Sequence, residues 1–145
     1  MKYKHIIFKL CYQYLNTLEV FDTKTETFQT LEPMKYARHG CGVAALNGFL
    51  FVAGGWDGEN NLNVIEKYSI ETNKWQEVSP MQTKRYGLKL VELKRKLYAL
   101  GGEDEGGTLK TIECYDPEKN RWEFKASMKN KNGYLGAVSF QNKIY

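Results

Sequence analysis

The chain has 145 residues, of which 42% are hydrophobic, 14% aromatic and 26% charged, a composition for packed strands rather than disorder. Its net charge of +4 is a small excess of 21 basic over 17 acidic residues, mixed along the sequence with no run of five like charges. That leaves no polybasic arm for nucleic acid or an anionic membrane, and no stretch has the apolar length of a membrane span.

The chain opens without a signal-peptide pattern: Ile6-Ile7-Phe8 is a short apolar patch cut off by Lys9. Cys11, Cys41 and Cys114 are odd in number and too widely spaced for a zinc pattern. They fit reduced thiols of the cytosol or nucleus better than a disulfide framework, so the expected location is cytoplasmic.

The first full unit runs from about Gly40 to Ser79. An apolar run, Cys41 to Leu46, meets Asn47-Gly48, and Phe49 to Ala53 follows; Asn-Gly between two such runs predicts a hairpin, since both turn residues tolerate positive φ. Phe49 to Ala53 is apolar throughout, which predicts a strand covered on both faces. Gly54-Gly55 closes it, two residues without Cβ where the backbone leaves sharply beside a neighbour. After the loop Trp56 to Asn63, a third strand is predicted over Val64 to Ile70, with Val64, Glu66 and Tyr68 on one side. Glu71-Thr72-Asn73 turns into a fourth, Lys74 to Val78, and Pro80 ends the unit.

The next unit repeats the order at Gly87–Leu93, Lys96–Leu100, Thr111–Asp116 and Arg121–Lys125. Its first turn is Lys94-Arg95, poorer turn chemistry at the same length, so packing is expected to hold the register there. The offset is 47 residues without insertion or deletion. It carries Gly54-Gly55 to Gly101-Gly102, Tyr68 to Tyr115, Trp75 to Trp122, Arg38 to Arg85, and Met34 to Met81 and Met128. A fixed period of this size marks a repeat architecture in which each unit buries its faces only against its neighbours. Four short antiparallel strands per repeat are the pattern of a propeller blade, and the missing 3.6 periodicity excludes a helical solenoid.

The run Pro80-Met81, Arg85, Gly87, Leu97 to Gly102, Glu113, Tyr115-Asp116 and Trp122 closely resembles the kelch repeat. So does Pro33-Met34, Arg38-His39-Gly40, Phe51 to Gly55, Glu66, Tyr68 and Trp75. The spacers Trp56-Asp57-Gly58 and Leu62-Asn63 look most like those of Kelch-like (BTB–Kelch) proteins. The resemblance implies an all-β fold, a kelch β-propeller fragment of about three four-stranded antiparallel blades. The divisions are a divergent partial blade at 1–32, repeats at 33–79 and 80–126, and a truncated further repeat at 127–145. Ile7-Phe8 stands where the first unit's diglycine belongs, so that blade is divergent or the opening dozen residues lie outside the fold. At the other end the chain stops inside a strand, and a partial ring is expected to be marginally stable or aggregation-prone alone.

Catalysis finds little footing. His5 and His39, the only histidines, fall in different repeats, and nothing orders a Ser–His–carboxylate set; neither enzyme, metal nor cofactor is expected. Gly54, Gly55, Tyr68, Trp75, Gly101, Gly102, Tyr115 and Trp122 are read as structural, with Trp75 and Trp122 packed between blades. Function is left to the loops, since rigid sheets hold contact residues while loops vary. The candidate partner contacts are Trp56, Asp57, Glu59 and Asn60, the acidic and flexible Glu103-Asp104 segment, and Arg38, His39, Arg85 and Tyr86. For the two arginines the recurrence suggests a repeated structural bond first and a partner-facing role second. The resemblance implies a protein-interaction module that recruits substrates to a cullin–RING ubiquitin ligase through domains absent from this chain; the alternative is an actin-binding cytoskeletal protein.

Overall fold

A computed structural model describes residues 5–7 and 14–145; Phe8, Cys11 and most of the opening dozen lie outside the described residues. The strands are short, two to five residues each. In chain order they are β1 (His5–Ile7), β2 (Leu18–Asp22), β3 (Thr27–Leu31), β4 (Gly42–Leu46), β5 (Phe49–Ala53), β6 (Ile65–Ser69) and β7 (Lys74–Val78). Then come β8 (Lys89–Leu93), β9 (Lys96–Leu100), β10 (Glu103–Asp104), β11 (Gly107–Thr108), β12 (Ile112–Asp116), β13 (Arg121–Lys125), β14 (Ser139–Phe140) and β15 (Lys143–Ile144). They make two four-stranded antiparallel sheets, β4-β5-β6-β7 and β8-β9-β12-β13, preceded by the three-stranded β1-β2-β3 and followed by the hairpin β14-β15. This is the all-β architecture that the period predicts. The third strands are shorter than expected, ending at Ser69 and beginning at Ile112.

The period governs hydrogen bonds as well as residues. Tyr68 lies opposite Trp75 as Tyr115 lies opposite Trp122. The Tyr68 hydroxyl donates to Asn73 Oδ1 at 2.6 Å and that of Tyr115 to Asn120 Oδ1 at 2.8 Å. The first hairpin turn has two positive φ values in both units, 51° and 81° at Asn47-Gly48 and 52° and 60° at Lys94-Arg95. Neither residue of the second pair favours that conformation. Packing of β8 on β9 therefore sets the turn, helped by Glu92 Oε1, which accepts the Arg95 N–H at 2.8 Å.

The apolar core lies between consecutive sheets. Phe51, Ala53 and Ile65 face Leu97, Tyr115 and Trp122 of the next unit, with Met81 and Leu88 inserted from the connecting loop. At the preceding junction Leu50 and Tyr68 pack on Leu18. The diglycines let successive units approach this closely. Gly54 and Gly55 have φ of 63° and 100°. A Cβ on Gly54 would overlap the Arg85 carbonyl oxygen, and one on Gly55 would sit 2.8 Å from the His39 carbonyl oxygen.

The two tryptophans differ in burial. Trp122 is 5% exposed and donates Nε1–H to the Ser79 carbonyl at 2.9 Å. Trp75 makes the equivalent bond to Glu32 at 2.7 Å but is only half-buried. The sheet in front of it ends in β3, whose Thr27, Gln29 and Thr30 are exposed and polar, so its apolar cover is thin.

Arg38 and Arg85 are core residues, 3% and 0% exposed. Arg38 Nη1 donates to the carbonyls of Gly54 (2.8 Å) and Val64 (3.1 Å), and Nη2 to Glu66 Oε2 (2.6 Å). Arg85 repeats this with Gly101 (2.8 Å), Thr111 (3.2 Å) and Glu113 Oε1 (2.7 Å). Burial pulls the Arg85 guanidinium below its ordinary value, and the Glu113 charge opposes that pull.

Three substitutions probe this packing. Arg85→Met leaves Glu113 buried without its counter-charge, and urea unfolding should show a loss of about 3–5 kcal/mol. Trp122→Ala should cost about 3–5 kcal/mol in the same assay, as for other buried aromatics. Trp75→Ala should cost clearly less, and equal losses would contradict the difference in burial.

Candidate recognition face

Strand direction alternates along each meander, so the loop after the second strand and the loop after the fourth emerge at the same end of the sheet. That end carries segments 54–64 and 101–111 together with the connections 32–41, 79–88 and 126–138. The two-residue hairpin turns lie at the opposite end.

The loops at this end are internally braced. Asp57 Oδ1 accepts the N–H groups of Asn60 (2.8 Å) and Glu59 (2.9 Å), which holds its carboxyl below the usual carboxylate range. Glu103 to Thr108 is a small hairpin, β10 on β11, rather than a flexible segment. Asp104 Oδ1 stabilises its tip by accepting the Gly106 N–H at 2.8 Å. Each loop is also tied to the connection beside it. His39 and Trp56 exchange backbone hydrogen bonds of 3.0 and 2.9 Å, and Tyr86 and Glu103 do the same at 3.0 and 2.8 Å.

These ties assemble a chain of aromatic rings across successive units. Tyr14, His39 and Trp56 form a triangle with centroid separations of 5.3–5.4 Å. His39 continues edge-to-face to Tyr86 at 6.3 Å, and Tyr86 to Tyr134 at 5.9 Å. The end members are open to solvent, Tyr14 at 42% and Tyr134 at 65% exposure. The Tyr86 hydroxyl donates to Glu103 Oε2 at 2.7 Å, and that bond raises the phenol to about 12.

The predicted contact residues thus divide. His39, Trp56, Asp57 and Tyr86 are half-buried on this end beside exposed Glu59 and Asn60, with Glu103 and Asp104 next to Tyr86. Arg38 and Arg85 leave the set, because their guanidinium groups are sealed into the junctions between loops and sheets. Tyr14 and Tyr134 join it. The period could not find them: Tyr14 aligns with Asn61, and Tyr134 falls one residue past the equivalent of Tyr86. Among the described residues no group of three His, Cys, Asp or Glu side chains is placed to hold a metal. Cys41 and Cys114 are free, and burial raises both thiols.

The kelch motif family matches residues 37–82 and again 84–129, more than half of the chain and in the same 47-residue frame. The chain belongs to the kelch family. Kelch repeats are protein–protein interaction modules and typically not enzymes, so the ring chain stands on a scaffold built for binding.

The Tyr86–Glu103 bond gives this kelch face a direct probe. Glu103→Gln removes the carboxylate that holds the phenol proton, and the Tyr86 pKa should fall towards the ordinary value of about 10. An absorbance pH titration against a Tyr86→Phe control measures it, and an unchanged value would mean that the bond does not form.

Proposed function

We propose that this kelch segment is the target-recognition part of a cullin–RING ubiquitin-ligase adaptor in the cytoplasm, binding a peptide segment of its substrate across the loop end. The observation that carries the reading is the continuous ring chain from Tyr14 to Tyr134, fixed by paired backbone hydrogen bonds yet open at both ends. Rigid aromatic side chains supply contact area at low entropic cost, and such residues dominate binding energy at protein interfaces. Exposed Lys84, Lys129 and Lys131 beside Glu59 and Glu105 supply charges of both signs for register. The ligase assignment rests on the likeness of the spacers to Kelch-like proteins. In those proteins the cullin is bound by BTB and BACK segments outside the repeats.

The test uses the full-length gene product and a Trp56→Ala/Tyr86→Ala variant. Partner capture should drop by about tenfold or more, the scale of losing an interface hot spot. The melting temperature should change little, since neither side chain belongs to the core. Ubiquitylation of the captured partner should require a cullin. Cosedimentation with filamentous actin and no cullin association would instead support the cytoskeletal alternative.

A further inference from the structure

The opposite, turn-bearing end of the repeat at 33–79 carries a second feature. A recess of about 250 Å³ opens on the outer part of the sheet, lined by Phe49, Lys67, Ser69, Thr72, Lys74, Trp75 and Gln76. Phe49, Ser69 and Lys74 lie opposite one another on β5, β6 and β7, and Lys67 lies opposite Gln76, so these five side chains share one face. Lys67 Nζ is held over the Phe49 ring, 4.9 Å from its centroid. No carboxylate lines the recess, and among the described residues neither Lys67 nor Lys74 makes an ion pair.

The repeat provides its own control. Adding 47 carries Phe49, Ser69, Lys74 and Gln76 to Lys96, Asp116, Arg121 and Glu123. There both cations at these positions have a partner within the sheet: Lys96 pairs with Asp116 at 3.0 Å, and Glu123 pairs with Arg121 and also with Lys125, while Lys67 and Thr72 correspond to Cys114 and Lys119. One backbone frame thus carries, in one unit, two acids paired to the cations beside them. In the other, both acids are replaced by Ser and Gln around two uncompensated lysines. Two cations flanked by the Ser69 and Thr72 hydroxyls match a dianion with several acceptor oxygens better than a single carboxylate, which would leave one lysine unpaired.

We infer that this recess binds a phosphate monoester dianion, presented as a phosphorylated side chain of a partner protein, with the Phe49 ring against its organic part. The site is separate from the loop end and does not depend on the function proposed there.

The test is a chemical-shift titration of the ¹⁵N-labelled full-length gene product with phenyl phosphate and with inorganic phosphate at constant ionic strength. Phenyl phosphate should shift the amides of Lys67, Ser69, Thr72 and Lys74 first, and should bind more tightly than inorganic phosphate. Ser69→Asp/Gln76→Glu installs the acids of the next unit while keeping both lysines, and should weaken binding by about tenfold or more. Lys67→Gln/Lys74→Gln should do the same, which preserves the test if the first variant does not fold. Wild-type affinity in a folded variant would overturn the assignment. So would equal affinity for the two phosphates, or shifts spread evenly over Lys84, Lys129 and Lys131, which would mean an adventitious ion only.

Discussion

Each repeat is tied to its surroundings by one buried guanidinium. Arg38 and Arg85 sit on the connections between units, yet their donors go to the carbonyl of the first glycine of the diglycine, the carbonyl just before the third strand, and a glutamate on that strand. The glutamate in turn accepts main-chain N–H groups of the same connection, from Lys35 to Glu66 and from Gln82 and Thr83 to Glu113. Loop and connection are thereby fixed to each other through a charge that cannot move without being left unpaired in an apolar junction. A well-packed apolar replacement could match such a pair in net stability. Its value here is in the single geometry it enforces, and that geometry holds His39 against Trp56 and Tyr86 against Glu103.

Much of this was legible in the sequence, because a period carries more information than any single residue. The strands and the diglycine exits follow from an offset that never slips, and the Tyr–Trp pairing repeats with it. Burial was less legible wherever it depends on what the neighbouring unit supplies. Trp75 and Trp122 are equivalent in sequence, yet only Trp122 is fully covered, since the sheet facing it is broader and more apolar than β3. The arginines were legible in part: their recurrence points to a structural bond, but not to its partner. A charged residue on a connecting loop reads as solvent-facing until its partner, 28 residues away on another strand, is known. Tyr14 and Tyr134 stand off the repeat frame, so no internal comparison could mark them.

The two ends of the sheets divide the chemistry. The loop end gathers rings and mixed charges onto hairpins braced by their own aspartates, a surface for adaptable contacts on a stiff support. The turn end is built from two- and four-residue connections that keep the same length from unit to unit, so it varies by side-chain exchange within a fixed backbone. Lys96–Asp116 in one unit and Phe49–Ser69 in the other are such an exchange.

Because successive units share one hydrogen-bonding frame, each junction presents the same sockets: Gly55 bonds to the Arg85 carbonyl as Gly102 bonds to that of Asn132, and Gly87 bonds to Gly40 as Tyr134 bonds to Gly87. A module bounded by such sockets is a cassette. Tandem duplication or excision of one whole cassette would rejoin the backbone in register, whereas loss of a few residues inside it would misalign every socket downstream. Such a scaffold lends itself to diversification by shuffling whole blocks and tolerates frame-breaking indels poorly.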